Sequence, residues 1–291
     1  MKNSSAYSRI IAGTMTWGQW GKQLPKGKMA QLMHHCLELG ITTFDHADIY
    51  GGYTNEADFG SGFVESGIRR QDIQLVTKCG IQYVCEARDN RVKHYDYSTD
   101  YIVRSVERSL KNLQTDYVDL FLLHRPSPLM RPDDIAEAIV RLKKEGKIKA
   151  FGVSNFTPSQ IALLETRIPI SAHQFQFSLT ANKGFYDGTF DDSLTKRRTA
   201  MAWSPLGAYF REQDEQTERI ARIMPSLEEK YNAAADQLLL AWIMKHPGNV
   251  HPVVGTTTRK RLESAVKAAD IQLELEDWFV LLEASQGHKV P

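Results

Sequence analysis

Four side chains in the first half of the sequence could together move a proton: Asp45, Tyr50, Lys78 and His124. A phenol is a weak acid with an unperturbed pKa of about 10, and a nearby ammonium group lowers that pKa because it stabilises the phenolate. Asp45 would keep Lys78 charged and oriented. His124 would hydrogen-bond a substrate carbonyl and place it near Tyr50. The four residue types therefore indicate proton transfer at a carbonyl compound.

The elements that must position these residues are predicted from an alternation of short apolar runs and longer segments with helical periodicity. Strands are predicted at residues 9–12, 42–45, 73–77, 118–123, 148–153, 172–175, 199–203 and 250–254. Helices are predicted at residues 31–39, 101–113, 132–144, 158–165, 231–245 and 261–269. Strands that alternate with helices indicate parallel β/α units.

Two architectures contain such units, a closed barrel and an open doubly wound sheet. An open dinucleotide-binding sheet would show the motif G-x-G-x-x-G after its first strand, whereas residues 13–18 read Gly-Thr-Met-Thr-Trp-Gly. No segment rich in Pro, Gly or Ser divides the chain, and its length accommodates a barrel of about 250 residues. We therefore predict a single-domain (β/α)8 TIM barrel over residues 1–291.

In such a barrel the functional groups lie at the C-terminal ends of the strands. Polar side chains occur at the ends of seven successive predicted strands, the second to the eighth. These side chains are Asp45, Lys78, His124, Ser154 with Asn155, Gln174, Ser204, and Thr256 with Thr257 and Thr258. One such residue alone would more often be a turn cap or a solvated surface group. The whole set would converge on one mouth if the barrel closes.

The charge balance and the lengths of the apolar runs exclude several classes of protein. Lys and Arg number 36 and Asp and Glu 35, and the resulting net charge of +1 argues against a nucleic-acid binder. No run approaches the roughly 18 apolar residues of a membrane span, and residues 1–8 lack the apolar stretch of a signal peptide. Cys36, Cys79 and Cys85 form no C-x-x-C pair, so we expect a reducing, cytoplasmic setting.

Six motifs, in order along nearly the whole chain, make the sequence resemble the aldo-keto reductase superfamily. They are Phe-Asp-His-Ala-Asp-Ile-Tyr-Gly at residues 44–51, Val-Thr-Lys at 76–78, Asp-Tyr-Val-Asp-Leu through His-Arg-Pro at 116–126, Gly-Val-Ser-Asn-Phe at 152–156, Ala-Trp-Ser-Pro-Leu-Gly at 202–207 and Val-Gly-Thr at 254–256. Residues 46–53 and the Gln-Phe-Gln sequence at 174–176 look most like the bacterial general oxidoreductase branch of that superfamily.

The resemblance implies a barrel that binds NADP(H) in extended form and transfers hydride between the nicotinamide and a carbonyl or alcohol carbon. It assigns catalysis to the four residues named first, with Tyr50 as the general acid in reduction and Lys78 as the modulator of its pKa. Trp203 is expected to stack under the nicotinamide, where the family usually has Tyr. The residues expected to bind the cofactor are Gly13, Thr14, Met15, Asp45, Ser154, Asn155, Gln174, Trp203, Ser204, Pro205, Leu206, Gly207, Gly255, Thr256, Thr257 and Arg261.

One part of the cofactor site departs from the pattern of the family. Many members carry a Lys-Ser pair for the adenosine 2′-phosphate, followed by an Arg and by a Glu-Asn pair for the adenine. Here Gly-Thr at residues 255–256 aligns with the first pair, Arg261 keeps the Arg, and Ser-Ala at 264–265 replaces Glu-Asn. The Arg-Lys-Arg sequence at 259–261 still suits a phosphate dianion at the start of a helix. NADP(H) is therefore expected, with NADH as the less favoured alternative.

The sequence indicates where a substrate would bind but does not identify it. Loops at residues 79–97 and 180–192 and the C-terminal tail at 283–291 are expected to border the pocket. The residues expected to form an aromatic wall there are Trp17, Trp20, Tyr83, Tyr95 and Phe185. The expected partners are small carbonyl or alcohol compounds, without nucleic acid or membrane, and the chain is expected to be a monomer or a weak homo-oligomer.

Two other functions fit part of the pattern. A regulatory, redox-sensing subunit that binds NADP(H) with little turnover would share the fold, but the intact catalytic set disfavours it. A metal-dependent barrel hydrolase would need several ligands at the barrel mouth. The candidate ligands are His46, Asp48, His124 and His173. The H-x-H pair usual on the first strand of such hydrolases is missing, and His46 would point away from Asp45 because neighbours on a strand alternate. We therefore predict no metal site.

Overall fold

Eight parallel strands form a closed barrel in the computed structural model, which describes residues 6–290. The strands are β1 (Ile11–Gly13), β2 (Thr43–Asp45), β3 (Gln74–Cys79), β4 (Val118–Leu123), β5 (Ile148–Ser154), β6 (Ala172–Gln176), β7 (Thr199–Trp203) and β8 (His251–Val254). Each strand pairs with the next, and β8 pairs with β1, so the sheet closes on itself. The predicted (β/α)8 barrel is confirmed. The ends of the predicted single domain, residues 1–5 and 291, lie outside the described residues.

Helices surround the barrel and follow its strands. They are α1 (Lys26–Glu38), α2 (Asn55–Ser66), α3 (Thr99–Leu113), α4 (Pro132–Lys144), α5 (Pro158–Glu165), α6 (Thr189–Thr195), α7 (Glu215–Tyr231), α8 (Ala235–Met244), α9 (Arg259–Lys267) and α10 (Leu275–Gln286). A short antiparallel hairpin pairs Ile81–Gln82 with His94–Tyr95 after β3. In the part of the chain described, every helix is too short or too polar to cross a membrane.

Several helices begin at residues with a clear capping role. The hydroxyl of Thr157 accepts a hydrogen bond from the N–H of Gln160, whose side chain accepts one from the N–H of Thr157, so α5 starts with a capping box. The helix α4 starts at Pro132, at the N1 position that proline favours. Ser98 accepts from the N–H of Tyr101 and caps α3. The predicted bounds of α4 and α5 agree with the structure.

The predicted helix at residues 231–245 is confirmed over residues 235–244 but starts four residues too early, because two helices meet there. The first, α7, ends at Tyr231, and Asn232 then takes a left-handed φ of 46°, which ends a helix. The second, α8, starts only at Ala235. The prediction also lacks α7 itself, which contains Pro225 in its interior, a residue that normally breaks a helix.

The prediction also lacks α2, α6 and α10. In α2 the reason is visible, since glycine is a poor helix former and two glycines interrupt the apolar pattern. Gly60 is required by packing: a Cβ at this position would lie 2.0 Å from the carbonyl oxygen of Asn112, at the C-terminal end of α3. The two helices therefore approach closely along that glycine.

Apolar side chains fill the interior of the barrel, and their positions along the strands show which later residues point into the mouth. A cluster of buried apolar side chains comes from six strands and occupies the inside of the barrel. Its members are Ile11, Val76, Leu120, Leu122, Ala172, Met201 and Val253. Side chains two positions apart share a face of a strand. The residues that follow these at the strand ends, among them Lys78, His124, Gln174 and Trp203, therefore point into the mouth.

Candidate active site

The ends of β2 and β3 carry a buried ion pair between Asp45 and Lys78. The ammonium nitrogen of Lys78 lies 2.8 Å from each carboxylate oxygen of Asp45 and donates to the carbonyl oxygen of His46 at 2.8 Å. The side-chain amide of Gln174, on β6, donates to Asp45 at 2.9 Å. The Lys78 and Asp45 side chains are only 0% and 4% exposed. Buried charges are costly unless they are paired and hydrogen-bonded, so these contacts fix both groups.

Tyr50 and His124 lie next to this pair. The ammonium of Lys78 donates to the hydroxyl of Tyr50 at 3.3 Å, and the rings of Tyr50 and His124 meet edge to face with centroids 6.0 Å apart. A turn after β2, in which the N–H of Tyr50 donates to the carbonyl of Ala47, brings the phenol back over the barrel. His124 is held by a bond from its N–H to the carbonyl of Cys79. The four residues singled out first thus lie together.

Burial and the neighbouring charges act in opposite directions on the pKa of Tyr50. Burial raises this pKa, the ammonium of Lys78 lowers it, and the net direction is upward. The lowering expected from Lys78 is therefore outweighed by burial, and the phenol is protonated at neutral pH, as a proton donor must be. Burial is the largest single effect on the pKa of Lys78 and lowers it, but Asp45 and Tyr50 together raise it further, so the net direction is upward and the lysine keeps its charge.

His124 is a neutral group in this site. Burial, followed by the charges of Lys78 and Arg125, lowers its pKa well below the usual value. Its Nδ1 atom is buried and has no hydrogen-bond partner among residues 6–290. A neutral imidazole donates from one nitrogen and accepts at the other. The ring can therefore bind a carbonyl oxygen without bringing a charge to it.

A second hydrogen-bonded group lies at the ends of β5, β6 and β7. Asn155 has a left-handed φ of 61°, and its amide donates to the hydroxyl of Ser154 at 2.8 Å and to the carbonyl of His124 at 3.3 Å. Its amide oxygen accepts from the indole N–H of Trp203 at 2.9 Å. Ser154 pairs in register with Gln174. The N–H of Asn155 donates to the carbonyl oxygen of Gln174 at 2.9 Å, so the residue that holds the Trp203 indole is anchored to the strand whose glutamine binds Asp45.

A cavity of about 990 Å³ runs along the ends of β7 and β8 and the start of α9. Seven of the residues expected to bind a cofactor line it: Ser204, Pro205, Leu206, Gly207, Gly255, Thr256 and Arg261. Sequence reasoning missed further lining residues, which are Phe210, Arg211, Asp236, Gln237, Leu240, Glu263 and Lys267. Three of them belong to the first turns of α8. The predicted helix at residues 231–245 already contained these three, and nothing in its sequence marks them as lining a cavity.

The remaining residues expected to bind a cofactor lie around β1 and before α9. Gly13 is in register with Asp45, and Thr14 is fully buried and donates its hydroxyl to the carbonyl oxygen of Asp45 at 2.9 Å. Met15 is exposed, and Thr257 is half-buried. The Thr14 side chain thus supports the backbone that carries the carboxylate of Asp45.

The predicted aromatic wall is only partly correct. Trp17 is completely buried and packs on rings of β2 and α2, and Phe185 belongs to an aromatic cluster with α8 and α10. Trp20 does lie near the site, with its ring centroid 6.3 Å from that of Tyr50 and 5.6 Å from that of Tyr83. The sequence could not separate these rings, because a large aromatic side chain serves equally well in a core and in a pocket.

The ligands considered for a metal-dependent hydrolase do not meet. The Nδ1 atom of His46 lies 2.8 Å from the hydroxyl of Thr14, and its ring packs on Phe59 at 4.2 Å between centroids. His173 packs against Phe175 at 4.9 Å. Within the described residues, no three His, Cys, Asp or Glu side chains are grouped so that they could hold a metal ion.

Comparison with known proteins agrees with this geometry. The model of the aldo/keto reductase family matches residues 9–284. The chain belongs to the aldo/keto reductase family. The resemblance found in the six sequence motifs is therefore confirmed, and the chain is an oxidoreductase of this family.

Bacterial reductases are similar to this chain over nearly its whole length. It is 40% identical to a Bacillus subtilis protein named uncharacterized oxidoreductase YcsN, over 98% of this chain and 96% of that protein. It is 36% identical to a 6-dehydroglucose reductase of Agrobacterium fabrum, over 97% of this chain and 96% of that enzyme. The solved holo form of the aldo-keto reductase AKR11C1 from Bacillus halodurans matches with a TM-score of 0.81 and 25% identity, over 98% of this chain and 94% of that one.

The environment of His124 predicts that its ring does not titrate in the neutral range. Its lowered pKa, compared with about 6.5 for a free imidazole, keeps the folded protein's ring neutral down to mildly acidic pH. An NMR titration of the imidazole C–H resonances, with a His124→Gln variant for assignment, should show a constant shift from about pH 5.5 to about pH 8. A midpoint near the free value would contradict the neutral assignment.

Proposed function

We propose that the protein reduces aldehydes and ketones to alcohols with NADP(H), reversibly, and that Tyr50 is the general acid. The observation that carries this proposal is the chain of contacts that runs from Asp45 through the ammonium of Lys78 to the hydroxyl of Tyr50, at 2.8 Å and 3.3 Å. It supports a protonated donor at the barrel mouth, with a group behind it that stabilises the anion left after donation.

The residues around the large cavity fit an extended dinucleotide. Its volume of about 990 Å³ is at the upper end of what small-molecule pockets enclose. The Trp203 indole, held by Asn155, would provide a flat face for the nicotinamide ring, and Ser154 and Gln174 would help Asn155 to hold the carboxamide. Residues 204–207 would contact the pyrophosphate. When bound, the cofactor supplies the hydride, while the protein supplies position and the proton.

In reduction, the hydroxyl of Tyr50 donates its proton to the carbonyl oxygen as negative charge develops there. The phenolate that remains is stabilised by the ammonium of Lys78, and Asp45 keeps that ammonium in place. In alcohol oxidation the phenolate takes the proton back. The intact contacts support turnover over a role as a purely regulatory NADP(H)-binding subunit.

His124 has a different part in this mechanism. It is neutral and next to Tyr50, so it would donate a ring N–H to the same carbonyl oxygen and fix the orientation of the substrate. A protonated ring at this place would repel the ammonium of Lys78. The low pKa of His124 therefore suits a positioning hydrogen-bond donor better than a second acid.

The charges at the far end of the cavity support NADP(H) over NADH. Lys260, Arg261 and Lys267 line this end, against the carboxylates of Asp236 and Glu263. With Arg211, which also lines the cavity, four cations face two anions, and Lys260 and Arg261 lie in the first turn of α9, where a phosphate dianion is favoured. The adenosine 2′-phosphate, which NADH lacks, would bind here.

We also propose which segments border the substrate pocket. The loops at residues 79–97 and 180–192 and the tail at 283–291 would border the pocket, with Trp20 and Tyr83 next to Tyr50. Much of the tail is not a loop, since α10 continues to Gln286. One relative is named 6-dehydroglucose reductase, so a sugar aldehyde belongs among the substrates to be tested.

We further propose a cytoplasmic enzyme that is a monomer or a weak homo-oligomer.

The variant Tyr50→Phe should bind NADPH with unchanged affinity and lose turnover by about 10²-fold or more, because the general acid is gone. The measurement is the aldehyde-dependent loss of NADPH absorbance, together with a fluorescence titration of NADPH. Tyr117→Phe is the matched control: this tyrosine lies at the opposite end of the barrel, before β4, and packs against Arg70 and Lys149. Full turnover in Tyr50→Phe would remove Tyr50 from its role, and wild-type protein that binds NADPH but reduces no carbonyl would favour the regulatory alternative.

Loss of the cations at the cavity end should weaken NADPH selectively. The double variant Lys260→Ala, Arg261→Ala should raise the Kd of NADPH by about tenfold or more and leave the Kd of NADH nearly unchanged. Arg259→Ala provides the control, because Arg259 is exposed and outside the cavity lining. An equal loss of affinity for both cofactors would show that these cations do not bind the 2′-phosphate.

A further inference from the structure

An arginine follows His124 directly and is fixed at the edge of the site. The hydroxyl of Tyr97 donates to the carbonyl oxygen of Arg125 and accepts from its N–H at 3.2 Å. Tyr97 is buried, whereas the Arg125 side chain is exposed. Because the backbone is held on both of its polar groups, the guanidinium extends from a fixed point beside the reactive groups.

The guanidinium of Arg125 lies over the site and not away from it. Its central carbon is 5.6 Å from the ring centroid of Trp203. Besides burial, the charges that lower the pKa of His124 are all positive, and they come from Lys78, Arg125 and Lys93. Lys93 belongs to the loop at residues 79–97, just before the second strand of the hairpin. Arg125 is therefore placed at the mouth by its contacts, and Lys93 is a second exposed cation on the loop after β3 whose charge acts on His124.

Neither exposed cation has a partner of opposite charge. Among residues 6–290, no carboxylate lies within 4.0 Å of the side-chain nitrogens of Arg125 or Lys93. Other cations of this barrel are neutralised: Lys78 pairs with Asp45, and Arg198 pairs with two carboxylates. Unpaired charges of one sign around a cleft with apolar walls attract ligands of the opposite sign.

The position of Arg125 and Lys93 separates them from the part of the proposed cofactor site that would hold the phosphates. The residues that line that cavity come from the loop after β7, from α8 and from the segment that includes α9. Arg125 and Lys93 are not among them. Arg125 lies instead directly after His124, to which the proposed function assigns the substrate carbonyl. An anion bound by them would therefore belong to the substrate.

We propose that Arg125, assisted by Lys93, binds a carboxylate of the substrate, so that the preferred substrates are short aldehydes or ketones that also carry a carboxylate. This inference rests on the proposed reductase function and deepens it. The planar guanidinium can donate two parallel hydrogen bonds to a carboxylate, which sets the orientation of the substrate as well as its affinity. The neighbouring His124 then holds the carbonyl at the other end of the same short molecule.

The test compares two aldehydes that differ only in charge, succinic semialdehyde and its primary amide. For the wild-type enzyme, kcat/KM should be about 10- to 100-fold higher for the carboxylate, which is the range for a charge-assisted hydrogen-bonded pair. The ratio should fall to about one in Arg125→Met and stay intermediate in Arg125→Lys. Most of the change should appear in KM, because the carboxylate is bound equally before and during hydride transfer.

A matched control separates this role from a general effect of charge. Arg104→Met removes an exposed arginine on α3 whose carboxylate contact is 4.0 Å long, and it should leave the ratio between the two aldehydes unchanged. The wild-type ratio should also shrink as salt is added, since exposed charges are screened.

Three results would overturn the inference, and they are distinguishable. A wild-type ratio near one, with the amide still reduced, rejects the carboxylate site and leaves the reductase function standing. A higher Kd for NADPH in Arg125→Met, with both aldehydes affected equally, assigns the arginine to a phosphate of the cofactor. If neither aldehyde is reduced, in a panel where other carbonyls also fail, the proposed function falls and the inference falls with it.

Discussion

The buried pair of Lys78 and Asp45 is the interaction on which the rest of the site depends. Removing two such charges from water costs several kcal/mol for each ion, and removal of one partner typically destabilises a protein by about 3–5 kcal/mol. Three further hydrogen bonds offset this cost. The ammonium of Lys78 donates to the carbonyl oxygen of His46 and to the hydroxyl of Tyr50, and the amide of Gln174 donates to Asp45. A pair that needs this many partners fixes the register of β2, β3 and β6 at their ends.

The same pair decides the chemical state of Tyr50. Burial keeps the phenol protonated, and the ammonium limits how far its pKa rises. The role proposed for Tyr50 needs both effects. A phenol without the ammonium would hold its proton too tightly, and a more exposed phenol would lose the low-dielectric surroundings that strengthen its contact with the ammonium. The neutral imidazole of His124 completes the arrangement, because it adds a hydrogen-bond donor without a second charge.

Much of this site is predictable from the sequence because strand ends in a barrel are marked by simple patterns. Apolar runs ending in Asp45, Lys78 and His124 predicted both the strands and their convergence. Features that depend on packing between distant elements were not predictable. The close contact at Gly60 and the proline within α7 obscure two helices. The burial of Trp17 is decided by its neighbours on other elements and not by its own sequence context.

The role of the ion pair can be tested most directly through the pH dependence of alcohol oxidation in a Lys78→Met variant. In the proposed mechanism this direction requires the phenolate of Tyr50, so kcat/KM should rise with pH to a limit set by the pKa of that phenol. Loss of the ammonium should move this rise to higher pH by about one to three units, the effect of removing an adjacent opposite charge. A folded Lys78→Met enzyme with the wild-type pH profile would contradict the control of Tyr50 by Lys78.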